Sequence, residues 1–257
     1  MLAVVVKCMY ECKIIGVRSL IRLDKFLSNS RVYSRREAVD LIKQGRVSVD
    51  GKRISSNDYK LDEKTAVICV DGKKLGYDKY HYYMMNKPAG VISATGDRGQ
   101  KTVIDLLSDG EQHLGLFPVG RLDKDTTGLL ILTNDGDFAH SIIAPKKLIP
   151  KKYRAVVDGR IDDADIEAFE NGIILADGMK CLPAVLEYDK ADAFVCFITL
   201  YEGKYHQVKR MMASRGKHVR ELSRLSIGNL KLDENLEPGE YKKLTSIEIN
   251  TIVLQQY

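Results

Sequence analysis

The chain has 257 residues and predicts an α+β fold in two parts: a small basic N-terminal module, then a larger domain on a largely antiparallel mixed sheet. Three observations carry this. Strand-like runs outnumber helical ones, and their order is mixed. The length suits one or two domains with a real core, and a polar stretch, DGKKLGYDKY at residues 71–80, reads as a linker. The charge is uneven: residues 21–79 hold 14 Lys/Arg against 9 Asp/Glu, whereas residues 80–257 hold 23 against 25. The expected organisation is an extension over 1–20, a basic module over 21–75 and a domain over 80–257.

Hydrophobic content of 44% and charged content of 29% are ordinary for a soluble globular protein. No run of eighteen apolar residues exists, so no membrane span is expected. The opening MLAVVVKCMYECKIIGV is apolar, but it lacks a basic n-region and contains Lys7, Glu11 and Lys13, which makes it a poor secretory signal. Cys8, Cys12, Cys69, Cys181 and Cys196 form an odd, scattered set. Cys8 and Cys12 would be half a metal site without a second pair, so no metal is expected. Cysteine usage of this kind fits a reducing cytoplasm.

The first module opens with IRLDKFLSNSRVYSRREAVDLIKQGRVSVDGKRI. Leu23, Phe26 and Leu27 share one helical face. Ser34 reads as an N-cap, with Glu37 completing a capping box. Ala38, Val39, Leu41 and Ile42 give the second helix its apolar side, and Gly45 ends it. RVSVDGKRI alternates and turns at Asp50-Gly51, a strong hairpin signal. Arg35, Arg36, Lys43 and Arg46 crowd around the second helix and the hairpin.

The larger domain begins with YHYYMMNKPAGVIS, an aromatic strand and a Lys-Pro-Ala-Gly turn. Further strands are expected at Leu129–Thr133, Tyr153–Val157, Ala184–Tyr188, Ala193–Tyr201 and Ile227–Leu232. Helices are expected at Thr102–Leu107, Asp137–Ile143, Asp163–Asn171 and Gln207–Arg215. Two basic clusters recur here: Lys146, Lys147, Lys151, Lys152 and Arg154 with no acid among them, then Lys204 to Arg224 with seven cations and one acid. One such cluster would read as a solvated face. Together with the basic first module they favour a polyanionic partner, a nucleic acid.

The chemistry concentrates in GRLDKDTTGLLILTNDG, residues 120–136. Gly120 provides a permissive backbone. Arg121 and Lys124 would favour the ionised form of Asp123 if they stay near it. An ionised carboxylate at a strand edge can act as nucleophile or base. Spacing alone leaves a surface salt-bridge turn open as the alternative. It also leaves open a glycosidic hydrolase using Asp123 with Asp125 as a carboxylate pair.

The RLDKFL, SRREA and GRVSVDGK segments resemble the S4 RNA-binding domain. That resemblance implies shape and phosphate recognition of structured RNA, with Arg22, Lys25, Arg35, Arg36, Lys43 and Arg46 as RNA contacts. MMNKPAGVISAT, FPVGRLDKDTTGLLILTNDG, LIPKKYRAVV and EGKYHQVKRMMASRGKHVRELSRL resemble, in order, the motifs of the pseudouridine synthases. More narrowly they resemble the small-subunit rRNA branch, which couples an S4 domain to the catalytic domain. The resemblance implies that Asp123 is the catalytic aspartate and Tyr153 the ring that stacks on uracil. Lys209, in HQVK, would be the cation paired with the aspartate, where many relatives carry arginine, and Arg210 is the neighbouring candidate. Arg121 and Arg224 would contact RNA, and Leu222 would wall the site. His206 receives no catalytic role and is expected to be structural or RNA-contacting. The resemblance implies a monomer, acting on small-subunit rRNA or an assembly intermediate without metal or cofactor. Large-subunit rRNA remains an alternative substrate, although that branch more often has Asn at the position of Asp125. A non-catalytic ribosome assembly factor is the alternative outside enzymes.

Overall fold

The computed structural model describes residues 20–30, 32–63, 65–75 and 79–253. Cys8 and Cys12 lie outside the described residues. The chain divides into two compact units between Lys79 and Tyr80.

The first unit runs β1 (Leu20–Arg22), α1 (Leu23–Asn29), α2 (Arg35–Lys43), β2 (Val47–Val49), β3 (Lys52–Arg53), β4 (Lys60–Asp62), β5 (Ile68–Val70) and β6 (Lys73–Lys74). Ser34 Oγ accepts from the Glu37 N–H and Glu37 accepts from the Ser34 N–H, which satisfies two otherwise unpaired donors at the start of α2. Asp50 and Gly51 both have positive φ, the geometry of a two-residue hairpin with strand-like twist. Leu23, Phe26, Leu27, Ala38, Ile42, Val47 and Ile68 form its core. The sheet is larger than the expected single hairpin: four strands in the order β3-β2-β5-β6, with β1 and β4 paired separately. Asp71-Gly72 makes a second positive-φ turn between β5 and β6. The start of the expected linker is therefore part of this unit.

The second unit contains β7 (Tyr82–Lys87), a 3₁₀ turn at Ile104–Leu106, α3 (Asp109–Gln112), β8 (Phe117–Pro118), β9 (Thr127–Thr133), α4 (Gly136–Ile143) and β10 (Lys151–Val157). It continues with α5 (Asp163–Asn171), β11 (Val185–Tyr188), β12 (Val195–Leu200), α6 (Gln207–Ser214), β13 (Val219–Ile227), β14 (Leu230–Lys231), β15 (Tyr241–Lys243) and α7 (Ser246–Val253). A mixed sheet runs β11-β12-β10-β13-β9-β7-β15, with β8 against β9 and β14 against β13. Every pairing is antiparallel except β9 with β13.

β9 explains its own apolar run. Leu129 and Ile131 pack on one side with Ala139, Ile142 and Ile252. Leu130 and Leu132 pack on the other with Val103, Leu107 and Leu122. A strand covered on both faces needs apolar residues at consecutive positions rather than alternation. Asp123 and Asp125 lie in the loop before β9, not on a strand as spacing suggested.

Two local expectations are corrected. In place of a helix over 102–107 there is only a 3₁₀ turn at Ile104–Leu106, anchored by Asp105 accepting from the Thr102 N–H and hydroxyl. The expected strand at Ile227–Leu232 is broken by a tight turn at Gly228, which joins the end of β13 to β14. The long strand comes earlier, at Val219–Ile227, where its many charged and polar residues hide the strand pattern.

Gly128 makes the parallel junction possible. Its φ is +96°, and a Cβ there would stand 2.4 Å from the Arg224 carbonyl oxygen and 2.8 Å from the Arg224 nitrogen. Gly128→Ala should destabilise the folded chain by about 3 kcal/mol or more, from backbone strain plus a clash that no rotamer relieves. Urea denaturation, read as a lower midpoint, checks this.

Candidate active site

The Asp123 loop is held from below by a buried lysine. Lys87 is fully buried at the end of β7, and its Nζ donates to the carbonyls of Pro88 at 3.0 Å, Lys124 at 3.2 Å and Thr126 at 2.8 Å. Burial pushes its pKa down to about 8, although Asp125 and Asp123 oppose that shift. The Gly90 N–H donates to the Lys124 carbonyl at 2.8 Å. Ser93 Oγ accepts from the Leu122 N–H and donates to the Leu122 carbonyl, each at 3.0 Å. The Thr126 N–H closes a turn on the Asp123 carbonyl at 3.1 Å. Three residues from the Lys-Pro-Ala-Gly turn and its flanks thus fix the backbone on both sides of Asp123.

α6 supplies the groups that face the carboxylate. His206 Nε2 is 3.4 Å from Asp123 Oδ1, and Lys209 Nζ is 3.3 Å from Asp123 Oδ2. Lys209 also donates to Asp125 Oδ1 at 2.5 Å. Burial disfavours the charge on Lys209, but the hydrogen bond to Asp125 and the charges of Asp123 and Asp125 outweigh it, so its pKa is raised. The hydrogen bond from Lys209 holds the Asp125 carboxyl below its usual range. His206 caps α6 in a left-handed conformation, with φ of 48°, uncommon for a residue with a side chain. Buried Gln207 stabilises that turn: its Oε1 accepts from the Lys204 N–H at 2.9 Å, and its Nε2 donates to Glu202 at 2.8 Å. The Tyr205 ring stacks on His206 at 3.9 Å.

Asp123 opens onto a cavity of about 640 Å³ that Tyr153, Arg121, Leu222 and Arg224 also line. Tyr153 is half-buried on β10, directly opposite Arg224 on β13. Arg121 is exposed at the rim and Leu222 is buried in the wall. Asp125 does not line the cavity and is exposed. Of Asp123 and Asp125, only Asp123 is therefore presented to the cavity; Glu202, which also lines it, is engaged by Lys204 and Gln207.

Other expected site residues fall elsewhere. Arg210 points away from Asp123 and pairs with Asp177, because its position on α6 is one residue, about a quarter turn, beyond Lys209. Arg224 lies buried in the cavity wall rather than on the surface: it is 3% exposed, with Nε donating to the Leu129 carbonyl at 2.8 Å. In the first unit, Lys25, Arg35, Arg36 and Lys43 are exposed. Arg22 is held on Asp24 and Arg46 on Asp71, each through Nε and Nη2, with each side chain still about half exposed. Sequence reasoning missed Lys87, although a lysine ending an otherwise apolar strand was a signal. It also gave His206 no place beside Asp123. Among the described residues, no group of three His, Cys, Asp or Glu stands close enough to hold a metal ion. No described helix is long and apolar enough to cross a membrane.

Residues 81–214 match the RNA pseudouridylate synthase family, and residues 21–67 match the S4 domain. The chain belongs to the RNA pseudouridine synthase family. It is 44% identical to the uncharacterized RNA pseudouridine synthase YtzG of Bacillus subtilis, over 90% of this chain and 98% of that one. It is 41% identical to ribosomal small subunit pseudouridine synthase A of Vibrio cholerae, over 90% and 99% of the two chains. The Escherichia coli K12 protein of the same name is 39% identical over 90% and 100%. A crystal structure of a pseudouridylate synthase superposes with a TM-score of 0.64 at 34% identity, covering 91% of this chain and all of that one.

This synthase fold depends on Lys87 for the shape of its central loop. Lys87→Met leaves three carbonyls without their donor and should cost about 2–4 kcal/mol, seen in chemical denaturation. Amide exchange at residues 122–126 should quicken with it. Because the folded-state pKa lies below the ordinary value of 10.5, the folded chain releases this proton first. Wild type should therefore gain stability relative to Lys87→Met as pH rises from about 8 to 10.5.

Proposed function

We propose that this protein isomerises uridine to pseudouridine at a specific site in small-subunit ribosomal RNA, in the cytoplasm. The observation that carries the reading is the cavity-facing carboxylate of Asp123, set between Lys209 and His206 and sharing its cavity with Tyr153. The relatives named ribosomal small subunit pseudouridine synthase A, similar over nine-tenths of this chain, support the choice of RNA.

The reaction needs a nucleophile, a surface for the detached base and an acceptor for the C5 proton. The bond between N1 and the sugar C1′ breaks with the electron pair going to N1, the uracil turns, and C5 bonds to the same carbon; N1 gains a proton as C5 loses one. Asp123 is assigned the attack on the target uridine, and Tyr153 the ring on which uracil stacks. Lys209 pairs with the carboxylate and directs it. Asp123 or Tyr153 takes the C5 proton. Uridine in folded RNA is stacked, so it must be flipped into the cavity at a cost of about a few kcal/mol. Phosphate contacts from exposed cations offset that cost and make binding weaken with salt. We read residues 21–75 as the module that selects the RNA, through Lys25, Arg35, Arg36 and Lys43, and residues 80–257 as the catalytic domain.

Mapping pseudouridine in rRNA from a strain lacking this protein tests the reading. One small-subunit position should lose its modification and regain it with wild type but not with Asp123→Ala. Persistence of every rRNA pseudouridine would instead favour an assembly factor. In purified enzyme, Lys209→Met should lower kcat on the order of a hundredfold, Lys209→Arg should restore most of it, and Arg210→Ala should stay near wild type. Single-turnover assays on an RNA carrying the mapped site decide between Lys209 and Arg210.

A further inference from the structure

Among the described residues, two buried side-chain polar atoms have no hydrogen-bond partner in the chain: Arg224 Nη2 and Thr126 Oγ1. Both residues line the Asp123 cavity. Orphaned buried groups are costly, and finding both in one cavity points to a ligand that completes them. A third group joins them. Lys151 lines the same cavity, and its Nζ donates to the Ile149 carbonyl at 2.9 Å. Neither Lys151 nor Arg224 has an ion-pair partner there. Burial, then the nearby Arg224 charge, push the Lys151 pKa down to about 8.

Their placement names the ligand group. Lys151 is two residues before Tyr153 on β10, so strand geometry sets both on one face. Arg224 is the cross-strand neighbour of Tyr153. Whatever rests on the Tyr153 ring meets these donors at its edge. A nucleotide enters base first, and its phosphates stay at the rim near exposed Arg121 and Lys124. The edge of uracil offers two carbonyl oxygens and one N–H. A half-turn about the N3···C6 axis exchanges N1 with C5 and, with them, O2 with O4. A fixed set of donors that holds one carbonyl before the turn holds the other after it. Cytosine has an amino group in place of O4 and would set donor against donor in one of the two orientations.

We propose that Lys151 and Arg224, with the Thr126 hydroxyl, form a subsite that hydrogen-bonds the carbonyl oxygens of the flipped uracil and retains the base while it turns. The inference rests on the synthase reading above and assigns these residues to positioning and base selection, not to attack on the sugar.

The test uses the full-length enzyme and two RNA fragments of the mapped site, one with uridine there and one abasic at that position. Lys151→Met, with melting unchanged, should lose about tenfold or more in kcat/KM on the uridine RNA. Its inhibition constant for the abasic RNA should match wild type, and Lys151→Arg should recover turnover. Thr126→Val should show the same base-dependent loss in smaller measure. An equal loss toward the abasic RNA would make Lys151 a phosphate contact and overturn the proposal, as would unchanged turnover of Lys151→Met. Wild-type turnover of the uridine RNA is the control: without it the synthase reading itself falls, and this inference with it.

Discussion

The active-site geometry hangs on one buried ammonium. Lys87 leaves water entirely and accepts the desolvation cost because three carbonyls converge on it. Those carbonyls belong to its own turn and to the loop that bears Asp123, so the interaction joins β7 to the start of β9. With Ser93 gripping Leu122 from both sides, the backbone around the carboxylate has little freedom left. A charged group placed on such a frame needs no reorganisation when substrate arrives, which is the condition for electrostatic catalysis.

Above that frame, the carboxylate is set by residues from a distant part of the chain. α6 starts with a left-handed histidine, and Gln207, hydrogen-bonded to the Lys204 backbone and to Glu202, stabilises that start. The result turns His206 and Lys209 toward Asp123 and leaves Arg210 on the Asp177 side. Lys209 serves two carboxylates, so Asp125 acts as a tether that keeps the ammonium at the cavity mouth. The shared cation also explains why only one of the two carboxylates is turned to the cavity.

The basic surface splits into two kinds of charge. On the first unit, Lys25, Arg35, Arg36 and Lys43 stand in solvent around α1 and α2, suited to phosphates. Arg22 and Arg46 are already engaged with Asp24 and Asp71, so part of their charge goes to ordering the unit itself. In the second unit, Lys151 and Arg224 lie within the cavity rather than on a face. Net charge alone treats these groups alike; burial separates the exposed cations from those inside the cavity.

The sequence by itself determined whatever depends on near neighbours. The Ser34 capping box, the Asp50-Gly51 turn, the Asp163–Asn171 helix and the apolar run of β9 are local patterns, and each reads off a few consecutive residues. The resemblance that singled out Asp123, Tyr153 and Lys209 likewise rests on short runs of consecutive residues. Only the tertiary structure decided what depends on burial and register. Lys87 and Arg224 look like ordinary surface cations until packing removes them from water. The strand at Val219–Ile227 is polar on much of its length, and its pairing with β10 and, through Gly128, with β9 defines it. His206 meets Asp123 only because α6 packs where it does, 83 positions along the chain. Long-range contacts leave no period in a sequence, and this site is built almost entirely from them.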